Sequence, residues 1–285
     1  MLRERVFLLR LSLCRGLGRV AKYRLWCCAR QLHCYDDLPR LMEHCQITLR
    51  AQTALLNNWA SPELDRAVNL NQGYPHITIV DSEYPAALRE IFCPPLVLFY
   101  AGNLTLLQRP CLGVVGARDA SSYGAGVLRG FIPEIVKHRL VVVSGLARGI
   151  DGLSHQITLE YDGMTIGIIG CGLDRYYPTE NRWLQQAVAN RGLVLSEYGR
   201  GEPPLAYRFP ERNRLIAGLV QTLLVVEAKR RSGSLITANI ALDENRNVCA
   251  VPGRIDTIRS LGCNELIAAG AKPILRAQDL IDEFA

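Results

Sequence analysis

The chain has 285 residues, 49% of them hydrophobic, and a formal net charge of +6. That length accommodates one large domain plus a smaller one, and no apolar run approaches the roughly 18 residues needed to span a bilayer. The charge sits at one end: residues 1–50 hold ten Lys and Arg against four Asp and Glu, while the remainder balances at 23 of each.

Arg3, Glu4, Arg5 and Arg10 interrupt the apolar start of the chain, unlike the uncharged core of a signal peptide, and predict a cytoplasmic protein. The basic N-terminal segment is compatible with nucleic acid, with an acidic partner and with a solvated helical surface. Residues 1–70 read as a small helical domain, with apolar residues at three-to-four spacing through Val6, Leu9 and Leu13 and again through Leu25, Ala29 and Leu32. Between these helices stands Gly16-Leu17-Gly18. A G-x-G turn occurs in the helix-hairpin-helix, where turn amides hold a nucleic-acid phosphate, and also in an ordinary glycine-capped helical turn. Three residues leave both open.

Residues 71–110 carry a strand at 77–80, a helix from Pro85 to about 91, a break at Cys93-Pro94-Pro95 and a strand at 96–100. From 111 onward strands and helices alternate. Runs of Val, Ile and Leu at 112–115, 140–144, 165–169, 193–196, 223–227 and 248–251 predict buried parallel strands. Helices are expected at about 123–138, up to 161, at 181–190, from 211, at 236–244, at 264–269 and at 278–284. This alternation predicts an α/β fold with a doubly wound, mostly parallel sheet over 71–285. The ten cysteines include no C-x-x-C pair, so the expectation is reduced thiols used as small hydrophobes, with no metal and no cofactor.

Five of the strand runs end in glycine-rich turns. In an open α/β sheet, ligands bind outside the carboxyl ends of the strands, and glycine lets backbone N–H groups approach an anion. The candidate phosphate-binding residues are Gly116 and Arg118 after the first run, Ser144, Gly145 and Arg148 after the second, and Gly170 after the third. Arg212, Asn213 and Arg214 follow Phe209-Pro210, and Ser232, Gly233 and Ser234 open a later helix. Arg118 and Arg148 are also placed to pair with Asp119 or Asp151. Arg212 and Arg214 cannot share a helix face at a spacing of two, so one meets a ligand while the other pairs internally with an acid such as Glu197 or Glu227. Ser232 and Ser234 are equally suited to capping a helix.

Several activities fit poorly. G-x-G-x-x-G is absent after 112–115 and no acid closes the second strand, which disfavours NAD. No serine stands in a G-x-S-x-G elbow. His155 lies one turn past Asp151 and is placed to pair with it, but no catalytic set assembles around them.

In order along the chain stand Val-Val-Gly-Ala-Arg-Asp-Ala-Ser-Ser-Tyr-Gly, Val-Ser-Gly-Leu-Ala-Arg-Gly-Ile-Asp, Gly-Cys-Gly-Leu-Asp-Arg-Tyr-Tyr-Pro, Leu-Ser-Glu-Tyr, Phe-Pro-Glu-Arg-Asn-Arg-Leu-Ile-Ala-Gly-Leu, Ser-Gly-Ser-Leu-Ile-Thr-Ala and Ala-Val-Pro-Gly. These motifs, over about residues 74–273, resemble the DNA-processing protein A family (DprA, also called Smf). The weaker N-terminal part is similar to the small helical domain that often precedes this core. The resemblance implies an extended Rossmann-like domain that binds single-stranded DNA, a homodimer, and no established catalytic activity. It also implies protection of incoming single strands and loading of the RecA recombinase during natural transformation. Arg118 and the Ser144-Gly145 turn would line the DNA phosphate pocket, with Arg148 as a neighbour.

Two departures stand out. Thr179 follows Tyr-Tyr-Pro where the family commonly has lysine, and the chain ends without the C-terminal winged helix that many relatives add. The basic N-terminal segment, through Arg15, Arg19 and Lys22, is one candidate to compensate. The alternative function is a nucleotide phosphoribohydrolase similar to the LOG (lysine-decarboxylase-like) enzymes, or a nucleotide-sensing module on the same fold. The LOG enzymes carry P-G-G-x-G-T-x-x-E, whereas the corresponding turn here, beginning at Ser232, has no Glu at its end.

Overall fold

In the sheet strands, alternate residues feed opposite cores, which is the period of two expected of a pleated chain. A computed structural model describes residues 2–284. Five helices come first: α1 (Leu2–Leu13), α2 (Arg19–Gln31), α3 (Leu38–His44), α4 (Leu49–Trp59) and α5 (Pro62–Gln72). The turn between α1 and α2 needs a left-handed residue, and Gly16 supplies it with φ +77°. Ser61 caps α5 by accepting a hydrogen bond from Leu64 N at 3.2 Å, with Pro62 behind it at the first helical position.

The remaining elements build the sheet. They are β1 (His76–Thr78), α6 (Ala86–Arg89), β2 (Val97–Gly102), β3 (Cys111–Val115), α7 (Ser122–Lys137), β4 (Val141–Ser144), α8 (Ile150–Glu160), β5 (Thr165–Ile169), α9 (Arg182–Arg191) and β6 (Leu193–Ser196). The second half adds α10 (Arg208–Leu219), β7 (Thr222–Val225), α11 (Gly233–Asp243), β8 (Asn247–Ala250), α12 (Ile258–Ala268), β9 (Lys272–Pro273) and α13 (Ala277–Ile281). The strand order is β1-β2-β6-β5-β4-β3-β7-β8-β9. The pairs β1–β2 and β2–β6 are antiparallel and the rest are parallel. The expected α/β, doubly wound, mostly parallel sheet is present, with a helical region ahead of it.

Leu112, Val114, Val142 and Leu224 turn to one face, under Leu128 and Ile132 of α7 and Ile150 and Ile157 of α8. Val115, Val141, Val143, Ile166 and Val225 turn to the other, where Leu215 and Ile216 of α10 and Ala238 of α11 cover them. That second core continues without a break into Leu8, Leu11, Leu25 and Leu55 of the N-terminal helices. The helical region is therefore seated on one face of the sheet and shares its core. Burying each such leucine contributes about 2 kcal/mol.

Some boundaries differ from expectation. The helix α10 begins at Arg208 rather than 211, because Pro210 lies in its first turn, where the missing N–H has no intrahelical partner to lose. The helix α12 begins at Ile258 rather than 264; Ser260 and Gly262 within it mask the helical pattern. The strand β9 has two residues, too few for any periodic signal. Among the described residues no helix is long and apolar enough to cross a membrane.

Candidate nucleic-acid interface

From β3 the chain winds through β4, β5 and β6 in one direction, then returns to lay β7 on the other side of β3. The carboxyl ends of β3 and β7 therefore flank the point where the winding reverses, the usual ligand crevice of such sheets. The N-terminus of α7 opens there and is the first place to expect a phosphate. The protein fills it with its own anion. Ser121 N donates to Glu227 Oε2 at 2.9 Å and the Ser121 hydroxyl donates to Oε1. A Cβ at Gly124 would lie 2.5 Å from the same carboxylate, so the glycine makes room for it. Glu227 is buried. The sequence marks it only as a candidate partner of Arg212 or Arg214.

A second crevice lies one step along, where the ends of β3, β4 and β5 face the start of α10. The first two turns interlock: a Cβ at Gly116 would meet Ile150, and Gly149, at φ +71°, sits where a Cβ would be 2.2 Å from Ala117 O. Asn181 steadies the second turn by donating to Leu146 O at 3.0 Å and Ala147 O at 3.1 Å. Gly170, at the third strand end, lies beside Phe209, whose ring would be in ordinary contact, 3.4 Å, with a Cβ there. Tyr177 stands 5.0 Å from Phe209 between ring centroids, and the Arg118 guanidinium lies 6.0 Å from the Phe209 centroid. Arg118 is exposed and, among the described residues, has no ion-pair partner.

Beneath this surface sits a buried charged group. Arg212 lies against Gly145 so closely that a Cβ there would be 1.5 Å from Nη1, and the same nitrogen donates to Ile168 O at 3.1 Å. Gly145 N donates to Asp151 Oδ2 at 3.1 Å. Ser144 is buried and donates to Val114 O at 2.6 Å, so its hydroxyl ties strand to strand. Burial pushes the Asp151 carboxyl up while Arg212 pulls it down; burial pushes Arg212 down while Asp151 pulls it up. The positive charge of Arg212 thus lies buried against the Gly145 turn at the end of β4.

The other candidates are placed differently. Arg148 pairs with Glu180 at the crevice lip, and not with Asp151. Arg214 is buried, donating to Cys93 O at 3.0 Å and paired with Glu197, so it is the internally paired member of its couple. Arg212 is buried too, and the expectation that one of the two would be free for a ligand is corrected by packing on both sides of α10. Asn213 is half-buried. Ser232 precedes α11 without capping it; its hydroxyl bonds that of Ser234 at 2.9 Å, and Gly233 is exposed beside them. This turn reaches the first only indirectly, through Lys229 on Asp119 at 2.9 Å, which Arg259 also holds. Tyr123 is tied away by its bond to Pro252 O at 2.6 Å.

His155 faces Thr165 rather than Asp151, with Nδ1 2.6 Å from Thr165 Oγ1. Thr165 in turn donates to Val142 O at 2.8 Å, so its hydroxyl oxygen accepts from the imidazole. Burial, and secondarily Arg212, pushes the imidazole from 6.5 down to about 3. Between those values the unfolded chain binds a proton that the folded chain does not, so stability falls as pH falls through that window. The expected loss from this group is about 1.4 kcal/mol per pH unit. Urea midpoints from neutral pH to about pH 4.5 check it: the His155→Gln profile is expected to be flatter, and parallel profiles would contradict the assignment. All ten cysteines are free thiols, and among the described residues no group of three or more His, Cys, Asp or Glu is arranged to hold a metal.

Residues 75–285 match the family described as DNA recombination-mediator protein A. The chain is 49% identical over 213 residues to the DNA processing protein DprA of Streptococcus pneumoniae, covering 75% of each. It is 40% identical over 217 residues to the protein Smf of Escherichia coli, covering 75% of this chain and 58% of that one. The X-ray structure of DNA processing protein A from Streptococcus pneumoniae superposes with a TM-score of 0.87 at 39% identity, over 99% of this chain and 97% of that one. DNA processing protein A from Helicobacter pylori, solved for its single-stranded DNA binding mode, superposes with a TM-score of 0.67 at 30% identity, over 75% and 97%.

Proposed function

The chain belongs to the DNA recombination-mediator protein A family, and on that premise we propose that it binds single-stranded DNA at the Arg118 crevice, protects incoming strands, and loads RecA recombinase onto them during natural transformation. The observation that carries the reading is the exposed Arg118 guanidinium beside Phe209 and Tyr177 at the carboxyl edge of the sheet. A guanidinium suits phosphate oxygens, and an aromatic face beside it accepts any base by stacking. Gly116, Gly145 and Gly170 bring backbone close to the strand, and buried Arg212 adds positive potential below. Asn213 and the Ser232–Ser234 turn extend the track, with Arg148 at its lip. Arg214 takes no part. The DNA-contacting unit is the segment 71–285.

The filled helix terminus supports this over nucleotide hydrolysis. With Glu227 seated on the first turn of α7, a mononucleotide phosphate would meet a carboxylate there. Exposed Ile236 and Leu242 on α11, with Ile255 and Ile258 nearby in sequence, support a homodimer through that side, since large apolar side chains gain by being covered.

The mediator part is tested by following RecA filament formation on single strands with and without the protein. A shortened nucleation lag is the expected result. Tight strand binding that leaves the lag unchanged or longer would contradict loading.

A further inference from the structure

The aromatic surface of the crevice does not stop at the Arg148–Glu180 lip. A 3₁₀ turn (Thr179–Asn181) runs directly into α9. Residues three apart on such a turn lie one above the other, so Trp183 follows Glu180 on one side of it. Glu180 holds Arg148. The positive charge of Arg148 is favoured most by Glu180 and to a lesser degree by Tyr177, so the ion pair stands beside the Tyr177 ring. Tyr177 in turn meets Phe209. A continuous surface therefore leads from Phe209 through Tyr177 and the ion pair to Trp183.

Trp183 is 54% exposed, whereas Trp26 is buried and Trp59 is half-buried against Phe7. Its own helix does not use it: α9 packs through Leu184, Gln185 and Val188, on the far side. Beside it in the chain, Arg182 is exposed, lies 4.9 Å from the centroid of Tyr176 and has no ion-pair partner among the described residues. The acids of this stretch are already engaged, Asp174 by Arg175 at 3.6 Å and Glu180 by Arg148. The start of α9 thus offers a bare aromatic face next to an uncompensated guanidinium. Single-stranded nucleic acid is held by that combination, the ring stacking on a base and the cation neutralising a phosphate. An exposed indole also suits a protein partner, but the free charge and the continuity with Tyr177 favour the strand.

We propose that the single strand continues past the lip of the crevice onto the start of α9, where Trp183 stacks on a base and Arg182, over Tyr176, takes a phosphate. The inference rests on the reading that single strands bind at the Arg118 crevice. It adds a sequence-tolerant contact that only strands longer than the crevice reach.

Intrinsic tryptophan fluorescence and anisotropy of the full chain with a ladder of oligo-dT lengths test it. Stacking on a base quenches an indole, so saturating oligo-dT is expected to quench the wild type but not Trp183→Phe, which keeps a ring to stack and most of the affinity. Trp183→Ala is expected to bind long oligo-dT about tenfold more weakly and to match the wild type on strands too short to leave the crevice. Arg182→Ala is expected to flatten the log–log salt slope by about 0.7, on long strands only. Undiminished quenching in Trp183→Phe would overturn the path. So would a Trp183→Ala protein with wild-type affinity at every length while Arg118→Ala is weakened, a result that leaves the crevice standing and gives Trp183 to a protein partner. A loss in Trp183→Ala that is equal at all lengths would put Trp183 inside the crevice and overturn the extension. An Arg118→Ala protein with unchanged affinity would remove the crevice, and this path with it.

Discussion

Gly145→Ala is expected to lower folding stability by about 3 kcal/mol and to abolish strand binding at the crevice. The added methyl would lie 1.5 Å from Arg212 Nη1 and 2.4 Å from the guanidinium carbon. An exposed arginine would swing aside at small cost. Arg212 is 4% exposed, bonded to Ile168 O and balancing the buried charge of Asp151, so displacing it uncouples both. Gly145 also carries the N–H that Asp151 accepts, so the turn itself must shift. Gly126 provides the contrast. It lies inside α7 with nothing within 4 Å of an added Cβ, and Gly126→Ala is expected to stabilise by about 0.5–1 kcal/mol. Urea unfolding of both variants, read beside strand binding, checks the pair of outcomes. A Gly145→Ala protein with wild-type midpoint and affinity would remove Arg212 from the site.

Much of this arrangement is legible in the residues. Runs such as Val141-Val142-Val143 are continuous because both faces of the strand are covered, and the turn after each run marks its carboxyl end. Arg118 and Gly145 are identifiable as strand-end residues because position relative to a strand end is a local property. Side-chain direction is not. Arg212 and Arg214 both lie in Phe-Pro-Glu-Arg-Asn-Arg, and only tertiary packing buries both, Arg212 against Ile168 O of β5 and Arg214 against Cys93 O and Glu197. Glu227 gives no sequence signal for its role, since its partner Ser121 is 106 residues away. Arg148 finds Glu180, 32 residues on, rather than the nearer Asp151, because Asp151 is turned inward to Gly145 N. Aromatic stacking partners are equally hard to assign: of the tyrosines near strand ends, Tyr123 is tied to Pro252 O while Tyr177 meets Phe209.

Binding of single strands where Arg118 meets Phe209 is tested by fluorescence anisotropy of a labelled oligo-dT over a salt series, against duplex, for wild type and Arg118→Ala. Arg118 is exposed and unpaired among the described residues, so its removal costs the fold little. The expected result is preference for the single strand, affinity falling steeply with salt, and a variant at least about tenfold weaker whose log–log salt slope is shallower by about 0.7 for each phosphate that Arg118 neutralises in the wild type. Equal affinity for duplex, or an Arg118→Ala protein with unchanged affinity and slope, would contradict it.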